Sequence, residues 1–236
     1  MNIGSETVVR VKRTGQTVLK FATGLDFEGC FVVLVGPNGS GKTAMLKAFC
    51  GFGPFEASPS IRRPKRFLYL DHEPLAGVES WMPAIDIARL YLRTSERHVR
   101  DWLLGNNDAE ESLRRAVLSR APIAEISTGQ RQALMMMCAA KLNTPLCVFD
   151  ESFSALDPLQ FERALWMVST IGASLRNAGG VVMIATHDYE VMQRCVAAAR
   201  TAQLPIRYVA VKGGTAIEIT TPTASLSRDA FNKMYL

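Results

Sequence analysis

The 236-residue chain has no apolar stretch long enough to cross a bilayer: its longest uninterrupted apolar run, residues 133–140, falls far short of the ~18 residues a membrane helix needs. No C-x-x-C pair occurs among its five cysteines, Cys30, Cys50, Cys138, Cys147 and Cys195, and the histidines His72, His98 and His187 are scattered away from them. That spacing argues against a structural zinc site or a disulfide framework and predicts buried, reduced thiols. Residues 1–16 are polar and charged with no apolar segment, which speaks against a secretory or transit peptide and predicts a cytosolic chain. Charge of one sign is scarce as well, since 27 basic against 22 acidic side chains leave only +5. The densest basic cluster, Arg62, Arg63, Lys65 and Arg66, reads as a solvated loop ahead of a strand rather than a nucleic-acid or lipid surface. With 48% hydrophobic and 21% charged residues, disordered, collagen-like and coiled-coil chains are excluded and a folded globular chain remains.

The pattern along the chain is one of alternation. Apolar runs at residues 31–35, 67–70, 146–149 and 181–185 have the composition of parallel strands buried on both faces. Helical stretches lie between or after them at residues 42–49, 131–142, 158–177 and 188–199, which predicts an α/β layer structure. Asp157 is a natural N-cap, Pro158 suits the first turn of the helix it opens, and Gly179-Gly180 end the segment. Two hairpins, residues 7–11 with 17–21 around Thr14-Gly15 and residues 207–212 with 215–220 around Gly213-Gly214, are expected as antiparallel additions. Residues 79–118 show helical apolar spacing at Ile85, Ala88, Tyr91 and Leu92 and again at Val99, Trp102 and Leu103, the mark of a small helical insertion.

The sharpest chemical signal is Gly36-Pro37-Asn38-Gly39-Ser40-Gly41-Lys42-Thr43, which follows the strand at 31–35 directly and opens a helix. In that context it is a phosphate-binding P-loop. Its glycines let backbone N–H groups converge on phosphate oxygens, Lys42 reaches the β and γ phosphates, and the Thr43 hydroxyl is suited to Mg2+. A second apolar strand ends in Asp150-Glu151; Asp150 is placed to hold Mg2+, commonly through water, and Glu151 to orient and deprotonate an attacking water. Both strand ends fall on one edge of a parallel sheet, where open α/β folds bind ligands. Ile126-Ser127-Thr128-Gly129-Gln130 opens a helix and supplies a second anion-binding helix N-terminus, which one nucleotide does not need from one subunit. Ser154-Ala155-Leu156-Asp157 follows the paired acids, and Thr186-His187-Asp188 follows the strand at 181–185, so that His187 can donate to a γ-phosphate oxygen or orient the water.

In this order of motifs the chain resembles the nucleotide-binding subunit of an ATP-binding cassette (ABC) transporter, from the N-terminal strands to about residue 199. The resemblance implies an α/β P-loop NTPase fold: a mainly parallel core with antiparallel β additions (residues 1–72 and 143–236) and a small helical subdomain carrying the signature (residues 73–142). It implies ATP and Mg2+ as cofactors, ATP hydrolysis as the reaction, a transmembrane subunit and a second ATPase subunit as partners, no nucleic-acid partner, and a place on the cytoplasmic face of a membrane. Two copies of such a subunit pair head to tail. The P-loop residues from Gly36 to Thr43, with Asp150, Glu151 and His187, then act from one side, and Ser127, Gly129, Gln130 and Asp157 from the other.

Three features depart from that family's pattern. The signature reads Ile-Ser-Thr-Gly-Gln where Leu-Ser-Gly-Gly-Gln is usual, which keeps the serine and the second glycine. No glutamine occurs between Thr43 and Ser127, so by position in Leu70-Asp71-His72-Glu73-Pro74 the residue expected near the metal is Glu73, able to accept from metal-bound water but adding negative charge. No aromatic residue stands at residues 11–16 to stack on adenine, and Phe21 is the nearest substitute. The segment at residues 70–92 is similar to that of short ATPases from exporter systems, and Trp81, Met82, Ile85 and Tyr91 are the expected contacts to a membrane subunit unless they pack the insertion's own core. The readings set against a transport ATPase are a nucleotide-responsive subunit with little hydrolysis, a soluble ABC ATPase acting on DNA or ribosomes, and a small P-loop kinase. The soluble ATPase would need a coiled-coil insertion or two cassettes, and the kinase leaves residues 127–132, 154–157 and His187 without a use.

Overall fold

The computed structural model describes all residues except 60, 63, 72, 74, 76, 107–109, 154, 155, 177, 220–225 and 234–236. A nine-stranded sheet forms its centre. The strands are β2 (Val8–Val11), β3 (Thr17–Phe21), β5 (Phe31–Val35), β6 (Phe55–Ser58), β7 (Leu68–Leu70), β8 (Leu146–Asp150), β9 (Val181–Ala185), β10 (Ile206–Lys212) and β11 (Thr215–Ile219); β1 (Asn2–Ile3) and β4 (Leu25–Asp26) make a small separate pair. The spatial order is β6-β2-β3-β11-β10-β5-β9-β8-β7, and the five strands from β10 to β7 run parallel. Helices α1 (Lys42–Cys50), α2 (Ala84–Leu92), α3 (Glu96–Leu104), α4 (Glu111–Leu118), α5 (Thr128–Lys141), α6 (Pro158–Arg176), α7 (Tyr189–Thr201) and α8 (Arg228–Lys233), with a 3-10 turn at Ile123–Glu125, complete the described elements.

The apolar runs are continuous because both faces of the sheet are covered. Phe31, Val33 and Val35 point into one core with Cys147, Phe149, Val182 and Ile184. Val32 and Leu34 point into the other with Leu146, Val148, Val181 and Met183. Side chains that alternate between two dry cores leave no position along the strand for a polar residue until it ends. The buried residues of the helical insertion, among them Ile85, Ala88, Val99, Leu103, Leu113 and Val117, belong to the first of these cores. The insertion therefore shares the sheet's interior.

Two expectations change. The strand at 206–212 is not an antiparallel addition: β10 pairs parallel with β5 from Ile206↔Phe31 to Ala210↔Val35. The crossover through α7 brings the chain back to the N-terminal end of the sheet, so the next strand must run parallel, and only then does the Gly213-Gly214 turn, at φ 57° and 72°, reverse it into β11. Strand β6 was not foreseen; it is a short edge strand of sequence Phe-Glu-Ala-Ser held by β2, with little apolar alternation to announce it. Helix α5 starts at Thr128 behind the N-cap Ser127, as the segment at residues 126–130 implied, and Ser127 and Gln130 close a capping box there. Arg62, Lys65 and Arg66 are exposed as expected, while Arg63, His72, Ser154, Ala155 and residues 220–225 and 234–236 lie outside the described residues. Among the described residues no helix is long and apolar enough to cross a membrane.

All five cysteines are free and buried. Burial pushes the Cys50 thiol up to about 12 and those of Cys138, Cys147 and Cys195 higher still. Because the thiolate is the reactive form, these four should react with a thiol reagent at pH 8 only as fast as the fold opens. Labelling followed by mass spectrometry should show slow modification of the native protein and rapid modification in denaturant.

Candidate functional site

Three parallel strands deliver the site to one edge of the sheet. Register sets Leu34 beside Ala185 and Ala185 beside Asp150, so β9 and β8 end at one level, in Thr186 and Glu151, and β5 runs one residue further before Gly36. Gly36 tolerates no side chain: a Cβ there would stand 2.0 Å from the carbonyl oxygen of Val211 on β10. Gly39 and Gly41 hold φ of 76° and 108°, conformations that place successive amides around a common centre. Gly41 is also the N-cap of α1 and makes no side-chain cap bond, which leaves the first-turn amides of that helix without a side-chain acceptor.

Lys42 is only 6% exposed, and its Nζ donates to the carbonyls of Gly36 at 2.7 Å and Pro37 at 3.0 Å. Burial lowers its pKa, while the charges of Glu151 and Asp150 oppose that shift. Thr43, the next residue, is exposed. Asp150 is 4% exposed; its Oδ2 accepts from the Tyr69 hydroxyl at 2.6 Å and its Oδ1 is buried without a partner. Glu151 adopts a left-handed φ of 55°, rare outside glycine, and its N–H donates to the Ala185 carbonyl at 2.9 Å. His187 Nδ1 lies 2.8 Å from Glu151 Oε2. An ionised carboxylate only accepts, so the proton sits on Nδ1 and a neutral His187 keeps Nε2 as an acceptor.

A cleft of about 310 Å3 opens here, lined by Val18, Asn38, Gly39, Gly41, Lys42, Thr43, Phe55, Asp150 and Glu151. Among the described residues no group of three or more His, Cys, Asp or Glu side chains is placed to hold a metal by itself. A cation in the cleft would depend on Thr43, on the unpartnered Oδ1 of Asp150 and on a ligand's own phosphates, the oxygen-rich and partly hydrated environment Mg2+ favours. A larger cleft of about 490 Å3 lies at the N-terminal end of β7, lined by Lys65, Arg66, Tyr91 and Arg93 among others, away from every motif residue.

The other expected site residues stand elsewhere. Ser127, Gly129 and Gln130 do not line the P-loop cleft. Ser127 Oγ accepts from the Gln130 amide at 3.2 Å; Gln130 Oε1 accepts from the Ser127 amide at 3.1 Å and its Nε2 donates to Ser112 at 2.9 Å, so the Gln130 side chain is occupied at both ends within the chain. Gly129 is buried with the Gln160 side chain against it. The Asp157 carboxylate caps α6 by accepting from the Gln160 amide at 2.9 Å. Glu73 is exposed three residues past β7, on the same edge as Asp150 but outside the cleft lining. Of the four expected docking contacts, Trp81 is 67% exposed, Ile85 is fully buried, and Tyr91 packs against the core. The helix face bearing Ile85 is turned into the shared interior.

Phe21 cannot stack on a base: it is buried at 3% exposure and stacks on Phe49, with centroids 5.9 Å apart. The aromatic residue at the cleft is Phe55, on the unforeseen strand β6, and no sequence signal marked it. Tyr69 was also missed, although a lone hydroxyl in the run Phe67-Leu68-Tyr69-Leu70, on a strand parallel to the one ending in Asp150, was a usable signal.

A glycine-rich loop closing on a buried lysine, with two carboxylates delivered beside it by a neighbouring parallel strand, defines a P-loop nucleoside triphosphatase. Within that class the chain belongs to the ABC transporter family, whose profile matches residues 27–154. It is 27% identical to the cytochrome c biogenesis ATP-binding export protein CcmA of Hahella chejuensis over 170 residues, 67% of this chain and 76% of that one. It is 30% identical to the protein of the same name from Bradyrhizobium diazoefficiens over 205 residues, 79% and 92% of the respective chains. A solved ATP-binding cassette, described as a dimer in a post-hydrolysis state bound to ADP and Pi, shares the fold with a TM-score of 0.65 at 20% identity, over 94% of this chain and all of that one. The chain is thus an ATP-binding subunit of the ABC transporter class.

Two glycine variants test the loop geometry. Gly36→Ala must force β5 from β10 and should lower both the melting temperature and ATP affinity, the latter by at least about tenfold (~1.4 kcal/mol). Gly39→Ala meets nothing within 4 Å of its Cβ and should cost only the left-handed backbone penalty, about 1–2 kcal/mol. Thermal melting and titration with a fluorescent ATP analogue check both.

Proposed function

We propose that the chain hydrolyses Mg-ATP as one half of a head-to-tail pair and thereby drives a transmembrane partner. The observation that carries the pairing is the separation of the two anion-binding helix ends. The P-loop cleft holds Lys42, Thr43, Asp150 and Glu151 but none of Ser127, Gly129 or Gln130, and Ser127 is exposed at the start of α5. A second copy that presents its Ser127 end to this cleft puts both to use.

In that pair the P-loop amides and Lys42 hold the phosphates, while Thr43 and Asp150 hold Mg2+, which when bound neutralises developing phosphate charge. Glu73 reaches the cation only through water. Glu151 is the base, and its left-handed backbone, tied to Ala185, holds the carboxylate at the edge of the cleft. His187 orients Glu151 and shares its charge. Ser127 and Gly129 act from the opposite chain. Gln130 supports them through the capping box, and Asp157 does so by fixing the start of α6. Val18 and Phe55 form the apolar wall of the cleft on which the base packs. Trp81 is the exposed apolar residue offered to the membrane subunit, which sets the cargo and the direction of travel.

A subunit with little hydrolysis is the second reading, favoured by a carboxylate, Glu73, past β7 on the edge that holds Asp150, where the resemblance leads one to expect a glutamine. Its other ground, a missing aromatic residue, is weakened by Phe55.

Glu151→Gln should slow phosphate release by about 100-fold, the lower range for loss of a general base, while ATP binding persists and an ATP-bound dimer accumulates in sedimentation. Hydrolysis unchanged by Glu151→Gln rejects that base, and wild-type turnover equal to that of Lys42→Ala favours the binding-only reading.

A further inference from the structure

We infer that Tyr69 is a positioning residue for Asp150: its hydroxyl fixes one carboxylate oxygen and leaves the other as the single oxygen able to meet a cation beside the P-loop. This rests on the Mg-ATP reading above and deepens it. Tyr69 sits in the middle of β7, the outermost strand on its side of the sheet, paired with Val148 two residues before Asp150. From there its hydroxyl donates to Asp150 Oδ2 at 2.6 Å, the length of a charge-assisted O–H···O− bond.

The two oxygens of this carboxylate are in different situations. Oδ2 has its donor, whereas Oδ1 is buried with no protein partner on a side chain that lines the cleft with Thr43. A buried carboxylate oxygen without a partner carries the full cost of its lost hydration. A packing role for Tyr69 explains the first oxygen and not the second. A carboxylate held by one oxygen so that the other faces a cation site explains both, and it is the arrangement by which outer groups orient metal ligands.

The hydroxyl is itself held in place. Phe52 meets the Tyr69 ring edge-on with centroids 4.8 Å apart and an interplanar angle of 80°, and Phe52 stacks on Phe67 at 5.7 Å and 6°. Lys47 Nζ lies 5.9 Å from the centroid of the same ring. Lys47 belongs to α1 and Phe52 follows its end, so the ring is held against the helix that grows out of the P-loop. With its ring locked, Tyr69 spends little rotamer freedom in holding the acid.

The test uses Tyr69→Phe, which keeps the ring and removes the hydroxyl, with ATP affinity measured in EDTA and across a Mg2+ series. Affinity in EDTA should match wild type, while the Mg2+ concentration giving half of the metal-dependent gain should rise about tenfold. A Mg2+ curve superimposable on wild type overturns the inference. So does an equal loss of affinity in EDTA and in Mg2+, which would mark a purely structural role. If Tyr69→Phe does not fold, Phe52→Leu, which keeps the hydroxyl but frees the ring, should raise the Mg2+ requirement about threefold, and no rise overturns the inference. Asp150→Asn separates this failure from that of the underlying reading. If wild type gains no affinity from Mg2+, or the gain survives Asp150→Asn, the Mg-ATP reading falls; if Asp150→Asn loses the gain and Tyr69→Phe keeps it, only the role of Tyr69 falls.

Discussion

Parallel register among β5, β9 and β8 is the constraint on which the site depends. Leu34, Ala185 and Asp150 stand abreast, so Thr186 and Glu151 emerge together at one edge of the sheet and Gly36 one residue beyond them. Slipping any one strand by a single residue would exchange its two faces, sending side chains such as Phe149 and Val148 into the wrong cores. The two dry cores therefore fix the position of the chemistry without touching it. Helix α1 adds to this, because the loop that starts it must pass within reach of Val211 on β10 and can do so only as glycine.

Placing charge at that edge is costly, and the neighbourhood shows how the cost is met. Taking an ammonium or a carboxylate out of water costs several kcal/mol before partners are counted. Lys42 recovers part through two carbonyls of its own loop and part through the fields of Asp150 and Glu151. Asp150 recovers part through Tyr69, and Glu151 through His187. The Asp150 Oδ1 atom, buried and unpartnered, is the exception, and it is the oxygen proposed to face a cation.

Legibility of the sequence followed the physics of each signal. Both-face burial makes a strand read as an unbroken apolar run, and β5, β8 and β9 were visible for that reason, with β7 beside them. The P-loop and the paired acids were visible because their spacing is tied to backbone geometry. Strand β6 was not, since an edge strand pairs through its backbone and asks little of its side chains; Phe55 was lost with it. The parallel placement of β10 is a property of the α7 crossover rather than of residues 206–212. Ile85 was legible as apolar and helical but not as buried, because which side of the insertion faces the sheet is decided by packing between distant segments. The capping box was written plainly in Ser127 and Gln130, and the serine that caps α5 is the one proposed to face a partner's triphosphate.

The proposed composite site is tested most directly by mixing two defective chains. Lys42→Ala disables the P-loop and leaves Ser127 intact; Ser127→Asp keeps a good N-cap but sets a negative charge where the partner's triphosphate would lie. Each alone should be inactive, whereas random pairing of an equimolar mixture places one intact P-loop against one intact Ser127 end in half of the pairs, restoring about a quarter of wild-type phosphate release if the two sites act independently. A mixture that pairs yet stays silent, or a Ser127→Asp chain that hydrolyses ATP at the wild-type rate by itself, would contradict it.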